Sequence, residues 1–327
     1  MLSTSEGTRH HHAFGPAEWG LFAIPPLIWG CSFLFIAIGL DAFAPALVTA
    51  ARIAFGACAL AFIPAARRHV DRSAWPRIVF VAATWMAIPF SCFSLAEQWI
   101  DSSLAGMLNG AMPLITAAVA AVLLRRMPAR IQILGLLIGF GGVVAVMWPA
   151  LNEGSSSSTT GVLLVLLAVT CYGFAMNVAV PLQQQYGTLP IIFRSQLVAL
   201  AMTAPFGIVG VTHSTFRIQS LAAVAALGAL GTGLAFVAAG ALAVRVGAAR
   251  ASVAIYFVPV IAIIAGVLFR DDHVEALSLV GVAFVVLGAI LTSRPDRRAA
   301  ATAPVPTSTD RATPDPRDIQ VRSVPGR

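Results

Sequence analysis

Eight uninterrupted stretches of 18 to 27 residues in the chain contain not a single Asp, Glu, Lys or Arg. A helix needs about 20 predominantly apolar residues to cross the hydrocarbon core of a bilayer. Each stretch is long enough to do so, and the pattern therefore predicts membrane-spanning helices. The stretches are residues 19–40, 78–96, 102–124, 131–152, 195–216, 218–244, 251–269 and 276–293.

Two further segments complete the predicted set of spans. Residues 161–181 follow a run of Ser and Thr, and residues 42–66 are free of charge except for Arg52. The predicted fold is an all-α integral membrane protein with ten transmembrane helices. Only 11% of the residues are charged, against about 25% in soluble domains. This excludes a soluble enzyme domain, a nucleic-acid-binding domain and a large receptor head.

The arginines predict the orientation of the chain. All 21 basic residues are Arg, and the net charge is +7. Cytoplasmic loops of membrane proteins retain basic residues, and a cytoplasmic N-terminus places 17 of the 21 on that side. We therefore expect a multi-pass protein of the bacterial inner membrane with both termini in the cytoplasm. The N-terminus (1–18) is polar, and the Pro- and Arg-rich tail (294–327) is predicted to be disordered because it lacks large apolar residues.

The second half of the chain repeats the first. A shift of 146 positions aligns three spans of one half with three of the other, and it superposes Phe90 on Phe236, Ala105 on Ala251, Pro113 on Pro259, Gly135 on Gly281 and Gly142 on Gly288. The predicted repeats are residues 19–149 and 161–293, joined by an external Ser/Thr loop at 150–160. Because each has five helices, the second must enter the membrane from the opposite side. Inverted repeats are typical of secondary transporters, which bind solute near the midplane.

Several short motifs resemble the EamA-type members of the drug/metabolite transporter superfamily. They are Trp29-Gly30-Cys31-Ser32-Phe33, then Pro45 and Arg52, then Ala105-Gly106-Met107-Leu108-Asn109 leading to Pro113, then Gly231-Thr232-Gly233, and finally Gly247-Ala248-Ala249-Arg250-Ala251-Ser252 followed by Pro259-Val260. The resemblance covers residues 19–293. It implies a protein with a ten-helix fold that exports or exchanges small metabolites, amino acids or drug-like compounds.

One departure from the family pattern concerns a Gly-Glu pair that often follows the fourth and ninth spans. Those places read Leu124-Arg125-Arg126 and Arg270-Asp271-Asp272 here. A role of that Glu cannot be transferred to the first half. In the second half, Asp271 or Asp272 could replace it.

Arg52 is the clearest intramembrane charge, about 12 Å into its span. Such a charge is a functional candidate by default. Arg52 either pairs with an acidic residue or a substrate carboxylate, or it locks the structure by binding backbone carbonyls or a neighbouring helix. The structural role is the favoured one. Glu97 and Gln98 close the third span, before a Ser-Ser-Leu-Ala-Gly turn that related sequences share. Glu97 either binds a cation or a proton in a polar cavity or lies in water.

Two prolines are predicted to break helices. Pro113 removes the hydrogen bond to the carbonyl of Asn109, and Pro259 removes the bond to the carbonyl of Ile255. Freed polar groups are tolerated in lipid only where protein or water satisfies them. We expect both breaks to flank a central cavity; the alternative is that they only shape packing.

Further polar groups inside the spans are candidates to line a solute cavity or to bridge helices. With Glu97, Gln98 and Asn109, the candidate set comprises Trp29, Tyr172, Asn177, Gln196, Thr232 and Tyr256. Asp271, Asp272, His273 and Glu275 form one short acidic loop with no second cluster to complete a metal site. No phosphate-binding or hydrolase motif is present. We therefore expect no metal, no cofactor and no enzymatic activity.

The pattern favours a secondary transporter that moves a small organic solute by alternating access. Its partners are then the solute, the lipid bilayer and, through Glu97, a proton. An intramembrane enzyme acting on a lipid-linked substrate and a non-transporting membrane scaffold remain alternatives. The sequence identifies neither the solute nor the oligomeric state.

Overall fold

The computed structural model describes residues 15–123, 129–152, 156–246 and 252–293. Every regular element in these residues is helical. Several segments discussed above lie outside them: residues 1–14 of the polar N-terminus, residues Leu124-Arg125-Arg126, residues 247–251 of the last motif, and the tail 294–327.

Eight helical units are long and apolar enough to cross a membrane: Pro16–Leu40, Arg72–Ala96, Ser102–Leu123, Arg130–Asn152, Ser158–Tyr186, Thr188–Val211, Ile218–Leu242 and Val253–Arg270. Two shorter apolar helices, Pro45–Ala61 and Ala276–Thr292, fall within the other two predicted spans. The chain is thus an all-helical, multi-pass membrane protein.

We number the α-helices in chain order. They are α1 (Pro16–Leu40), α2 (Pro45–Ala61), α3 (Trp75–Ala82), α4 (Ile88–Ala96), α5 (Ser102–Asn109), α6 (Met112–Leu123), α7 (Arg130–Asn152), α8 (Ser156–Tyr186), α9 (Thr188–Val211), α10 (Ile218–Gly228), α11 (Ala235–Val246), α12 (Val258–Arg270) and α13 (Ala276–Thr292).

The helix boundaries depart from the predicted spans at three places. Helix α2 ends at Ala61 rather than at residue 66, because Pro64 cannot continue it and starts a short 3₁₀ turn instead. The predicted loop at 150–160 is much shorter, since α7 continues to Asn152 and α8 has already begun at Ser156. Extending an existing helix is easier than starting one, which outweighs the modest helix propensity of Ser and Thr.

The third departure is at α9, which begins at Thr188 and so contains Arg194. The Arg194 guanidinium donates to the backbone carbonyls of Ala66 (3.4 Å), Pro190 (3.2 Å) and Arg68 (2.6 Å). These bonds satisfy the charge near the end of the helix, so that it does not interrupt the span.

Four spans contain a segment that is not α-helical, and these segments occur at corresponding places in the two halves. A π-helical turn at Ala83–Ala87 separates α3 from α4, and another at Ala229–Leu234 separates α10 from α11. Residues 110–111 separate α5 from α6, and a 3₁₀ segment at Ser252–Phe257 precedes α12. Pro113 and Pro259 are each the second residue of the helix that follows such a segment.

Helices α7 and α13 pack through glycines. A β-carbon on Gly135 would lie 2.8 Å from the carbonyl oxygen of Gly288, and one on Gly142 would lie 2.6 Å from that of Gly281. The earlier residue of one helix therefore meets the later residue of the other, so the helices run antiparallel. Small residues allow two backbones to approach this closely in lipid.

Candidate functional site

A cavity of about 150 Å³ lies where the four broken spans meet α1, α2 and α8. A volume of about this size is enough to hold a small ring such as benzene. Its walls are formed by Trp29, Ser32, Phe33, Ile36, Arg52, Trp85, Phe90, Phe93, Asn109, Met112, Tyr172, Met176, Gly231, Thr232, Phe236, Ile255 and Val258.

Most wall residues come in pairs from the two halves of the chain. Four pairs are 146 positions apart: Trp85 and Gly231, Phe90 and Phe236, Asn109 and Ile255, and Met112 and Val258. Two more are 143 positions apart: Trp29 and Tyr172, and Phe33 and Met176. Each half therefore contributes matching positions to one cavity.

The helix breaks place these residues at the cavity. Gly231 and Thr232 lie in the π-helical turn before α11, and the indole N–H of Trp29 donates to the Gly231 carbonyl at 2.9 Å. Asn109 ends α5 and Met112 begins α6, while Ile255 and Val258 flank the start of α12. Irregular backbone at membrane depth is expected only where protein or a cavity covers it.

Seven of the 17 wall residues are aromatic. Phe236 makes edge-on contacts with Trp29 and Trp85, at centroid distances of 5.3 and 5.5 Å. Phe93 makes ring contacts with Phe33 at 5.5 Å and with Tyr172 at 6.0 Å. The wall is thus apolar, flat-sided and held by ring packing.

Arg52 is the one charged residue among the wall residues, and it is only 8% exposed. Its guanidinium carbon lies 3.7 Å from the centroid of the Phe90 ring, a close cation–π contact. Within the described residues it makes no hydrogen bond and no ion pair, and its Nε is buried without an acceptor. Within the described residues the guanidinium therefore binds no backbone carbonyl, and its contact with Phe90 of α4 is one with a neighbouring helix.

Two other polar wall residues differ in how they are satisfied. The Asn109 side-chain oxygen has no donor, whereas the Thr232 hydroxyl donates to the carbonyl of Gly228. Arg52 and Asn109 thus each keep a buried polar atom without a hydrogen-bond partner among the described residues.

Glu97 and Gln98 lie at the end of α4, outside the cavity wall. Both carboxylate oxygens of Glu97 are buried and have no hydrogen-bond donor among the described residues. Glu97 interacts electrostatically with Arg52, Asp272 and Arg270. Gln98 is exposed. Of the two, Glu97 is the one placed between the cavity and the end of the protein.

Three other candidates are not among the cavity wall residues, and two of them, Asn177 and Tyr256, bridge helices instead. The Asn177 amide donates to the carbonyls of Thr116 (3.2 Å) and Gly173 (2.8 Å). Gln196 is fully buried beside Gly56, with both amide atoms unpartnered. The Tyr256 hydroxyl bonds the Ala289 carbonyl (3.1 Å) and the Ser293 hydroxyl (2.6 Å).

Sequence reasoning missed the apolar part of the wall. The candidate set was drawn from the polar and amphipathic groups inside the spans. It left out Trp85, Phe90, Phe93, Phe236 and Met176. The repeat carried a usable signal, since Phe90 superposes on Phe236 at the 146-residue shift.

The acidic loop after α12 ties the two halves together at one end of the protein. One carboxylate oxygen of Asp272 accepts hydrogen bonds from Ser102 and Ser103 at the start of α5. Nearby, Arg270 forms an ion pair with Asp41 at 3.0 Å. At the opposite end, Arg245 pairs with Glu18 at 3.0 Å. In the part of the chain that the structure describes, no three His, Cys, Asp or Glu residues are grouped as metal ligands.

Known proteins are similar to this chain along nearly the whole helical region. Residues 19–148 and 159–294 each match the EamA-like transporter family. A probable terminal-alkyne amino-acid exporter of Streptantibioticus cattleyicolor is 25% identical over 282 residues, which cover 85% of this chain and 93% of the exporter. An uncharacterized transporter of Archaeoglobus fulgidus is 19% identical, with coverage of 85% and 99%.

Two further comparisons extend this result. Protein PagO of Salmonella typhimurium is 22% identical over 280 residues, which cover 83% of this chain and 91% of PagO. One solved crystal structure superposes with a TM-score of 0.59 at 17% identity, covering 84% of this chain and 96% of that one. At this identity, the likeness shows the fold alone.

Proposed function

The chain belongs to the EamA-like transporter family, and on that premise we propose that it is a secondary transporter of a small organic metabolite. It moves the solute across a bacterial inner membrane by alternating access, with export or exchange as the direction. The solute is an amino acid or a drug-like compound of similar size. The relative that is named an amino-acid exporter supports this choice.

The observation that carries the proposal is the central cavity with its paired walls. Six pairs of positions, one from each repeat, contribute to it, and the helix breaks beside it recur in both repeats. In transporters built from repeats, solute sites lie at the repeat interface and are typically formed by broken helices. The cavity is accordingly the solute site.

The contact between α7 and α13 supports an inverted relation between the repeats. Gly135 and Gly142 correspond to Gly281 and Gly288, and each contact joins non-equivalent members of the two pairs. A two-fold axis produces this reciprocal pattern. We therefore assign ten spans, with the short helices α2 and α13 included, and both chain termini in the cytoplasm.

Alternating access requires each end of the cavity to open in turn. With cytoplasmic termini, the contacts of Asp272 and the Asp41–Arg270 pair close the outer end, and the Glu18–Arg245 pair closes the inner end. Asp272 takes the role of the family's Glu in the second repeat. Glu97, buried between the cavity and the outer contacts, takes up the proton if transport is coupled to a pH gradient.

A matched pair of glycine substitutions tests this function. Gly231 lies in the cavity wall, and a β-carbon there meets only the Ser32 hydroxyl, at 3.7 Å; one on Gly240 meets no atom within 4 Å. We expect vesicles containing the wild-type protein to accumulate or release radiolabelled amino acids faster than empty vesicles. Gly231→Leu fills the cavity and should abolish the flux, whereas Gly240→Leu should retain it. Equal flux in both variants, or none in wild type, contradicts the proposal.

A further inference from the structure

We propose that the cavity selects solutes that carry a carboxylate on a flat apolar body, and that Arg52 binds that carboxylate. The inference rests on the proposed transport function and specifies its solute. The observation behind it is the unpaired guanidinium of Arg52 in an otherwise apolar wall.

The charge balance of the cavity favours an anion. In the part of the chain that the structure describes, Arg52 forms no ion pair and the cavity wall contains no Asp or Glu. A buried charge is strongly disfavoured unless it is paired and hydrogen-bonded. Glu97 is close enough to interact electrostatically but forms no hydrogen bond or ion pair with Arg52. A bound anionic solute would supply the missing partner.

The position of the guanidinium favours a carboxylate among possible anions. Phe90 covers one face of the group at 3.7 Å, so that the N–H donors, which lie in the guanidinium plane, are not used by the ring. The buried Nε has no acceptor. These in-plane donors form a fork that matches the two oxygens of a carboxylate.

The rest of the wall defines the body of the solute. Rings of Trp29, Trp85, Phe93 and Phe236 surround the space, and its volume of about 150 Å³ suits one small ring or a branched chain. The unpartnered oxygen of Asn109 can accept a hydrogen bond from an amino or hydroxyl group. An amino group on the solute is therefore accommodated but not required.

Aromatic walls can also bind cations through their ring faces, so the test must separate charge types. Four probes of similar shape do so: 3-phenylpropionate, phenylalanine, 2-phenylethylamine and 3-phenylpropan-1-ol. Binding to the purified full-length protein is measured through the tryptophan fluorescence, since Trp29 and Trp85 line the cavity. We expect the two carboxylates to bind at least about tenfold more tightly than the amine and the alcohol.

Variants assign the preference to Arg52. Arg52→Gln should abolish the advantage of the carboxylates, and Arg52→Lys, which keeps the charge but not the fork, should retain part of it. Arg217→Gln removes an exposed arginine and should bind as wild type. If Arg52→Gln does not fold, the order of the four probes on wild type still decides.

Tighter binding of the amine or the alcohol, or no binding of any probe, overturns the proposal. An Arg52→Gln protein that keeps the carboxylate preference overturns it as well. The flux comparison of Gly231→Leu with Gly240→Leu is independent of these results. A transporter of cationic or neutral solutes would therefore show the flux difference between the two glycine variants but would not prefer the carboxylate probes.

Discussion

Ser103 donates both its backbone N–H, at 2.8 Å, and its hydroxyl, at 2.7 Å, to one carboxylate oxygen of Asp272. The hydroxyl of Ser102 donates to the same oxygen at 2.8 Å. Asp272 thereby caps the N-terminus of α5 from a loop 169 residues further along the chain. A carboxylate at a helix N-terminus satisfies free N–H groups and interacts favourably with the helix dipole.

Asp272→Asn should therefore weaken this tie between the loop and the start of α5. Loss of the charged acceptor is expected to lower the free energy of unfolding by about 1–3 kcal/mol, measured by denaturant titration in detergent. Asp271→Asn is the matched control, because Asp271 lies in the same loop and its side chain makes no hydrogen bond within the described residues; its left-handed backbone (φ 55°) is one that Asn also tolerates. Equal stability of the two variants would argue against a tie at Asp272.

The glycine contact between α7 and α13 gives a second prediction. A β-carbon on Gly142 would lie 2.6 Å from the Gly281 carbonyl oxygen and 2.7 Å from the Val285 nitrogen, so the helices must separate. Gly142→Ala should lower the free energy of unfolding by about 1–3 kcal/mol. Its neighbour Gly141 has open space around it, and Gly141→Ala should be neutral or stabilise the helix by up to about 1 kcal/mol. The same titration checks both variants, and an unaffected Gly142→Ala would contradict the close approach.

Glu97 gives a prediction about energy coupling. Its carboxylate is buried and unpartnered, and Gln has nearly the same shape but cannot exchange a proton at neutral pH. We expect an imposed pH gradient to change the rate of solute flux in wild-type vesicles and to leave the rate in Glu97→Gln vesicles unchanged. Glu275→Gln, an exposed site in the loop before α13, should respond as wild type. A Glu97→Gln protein that still responds to the gradient would remove Glu97 from proton coupling.

The distribution of charge was sufficient to locate the helices but not all of their ends. Arg194 illustrates the difficulty: it interrupts a charge-free stretch, yet it lies inside α9 because carbonyls of Ala66 and Arg68 reach it. That compensation depends on tertiary contacts between distant segments. Pro64, in contrast, ends α2 through local chemistry that the sequence displays directly.

The site was predictable only where a residue stood out chemically from its span. Arg52, Asn109 and Thr232 are polar in apolar helices and do line the cavity, but Asn177 is equally polar and bridges two helices instead. Phenylalanines carried no such signal, because lipid and an aromatic cavity favour the same side chain. Phe206 is 69% exposed on the outer surface while Phe90 is 6% exposed at the cavity, and only the rotation of each helix distinguishes them.

Alternating access requires that one cavity between the two halves is reached from both sides of the membrane in turn. Single cysteines at Asn109 and Met176, one from each half, test it in a protein whose four free cysteines, Cys31, Cys58, Cys92 and Cys171, have been replaced. In vesicles of known orientation, with flux retained, a membrane-impermeant thiol reagent should modify both positions when added on either side. Modification from one side alone under all conditions, or from neither side, would contradict alternating access through this cavity.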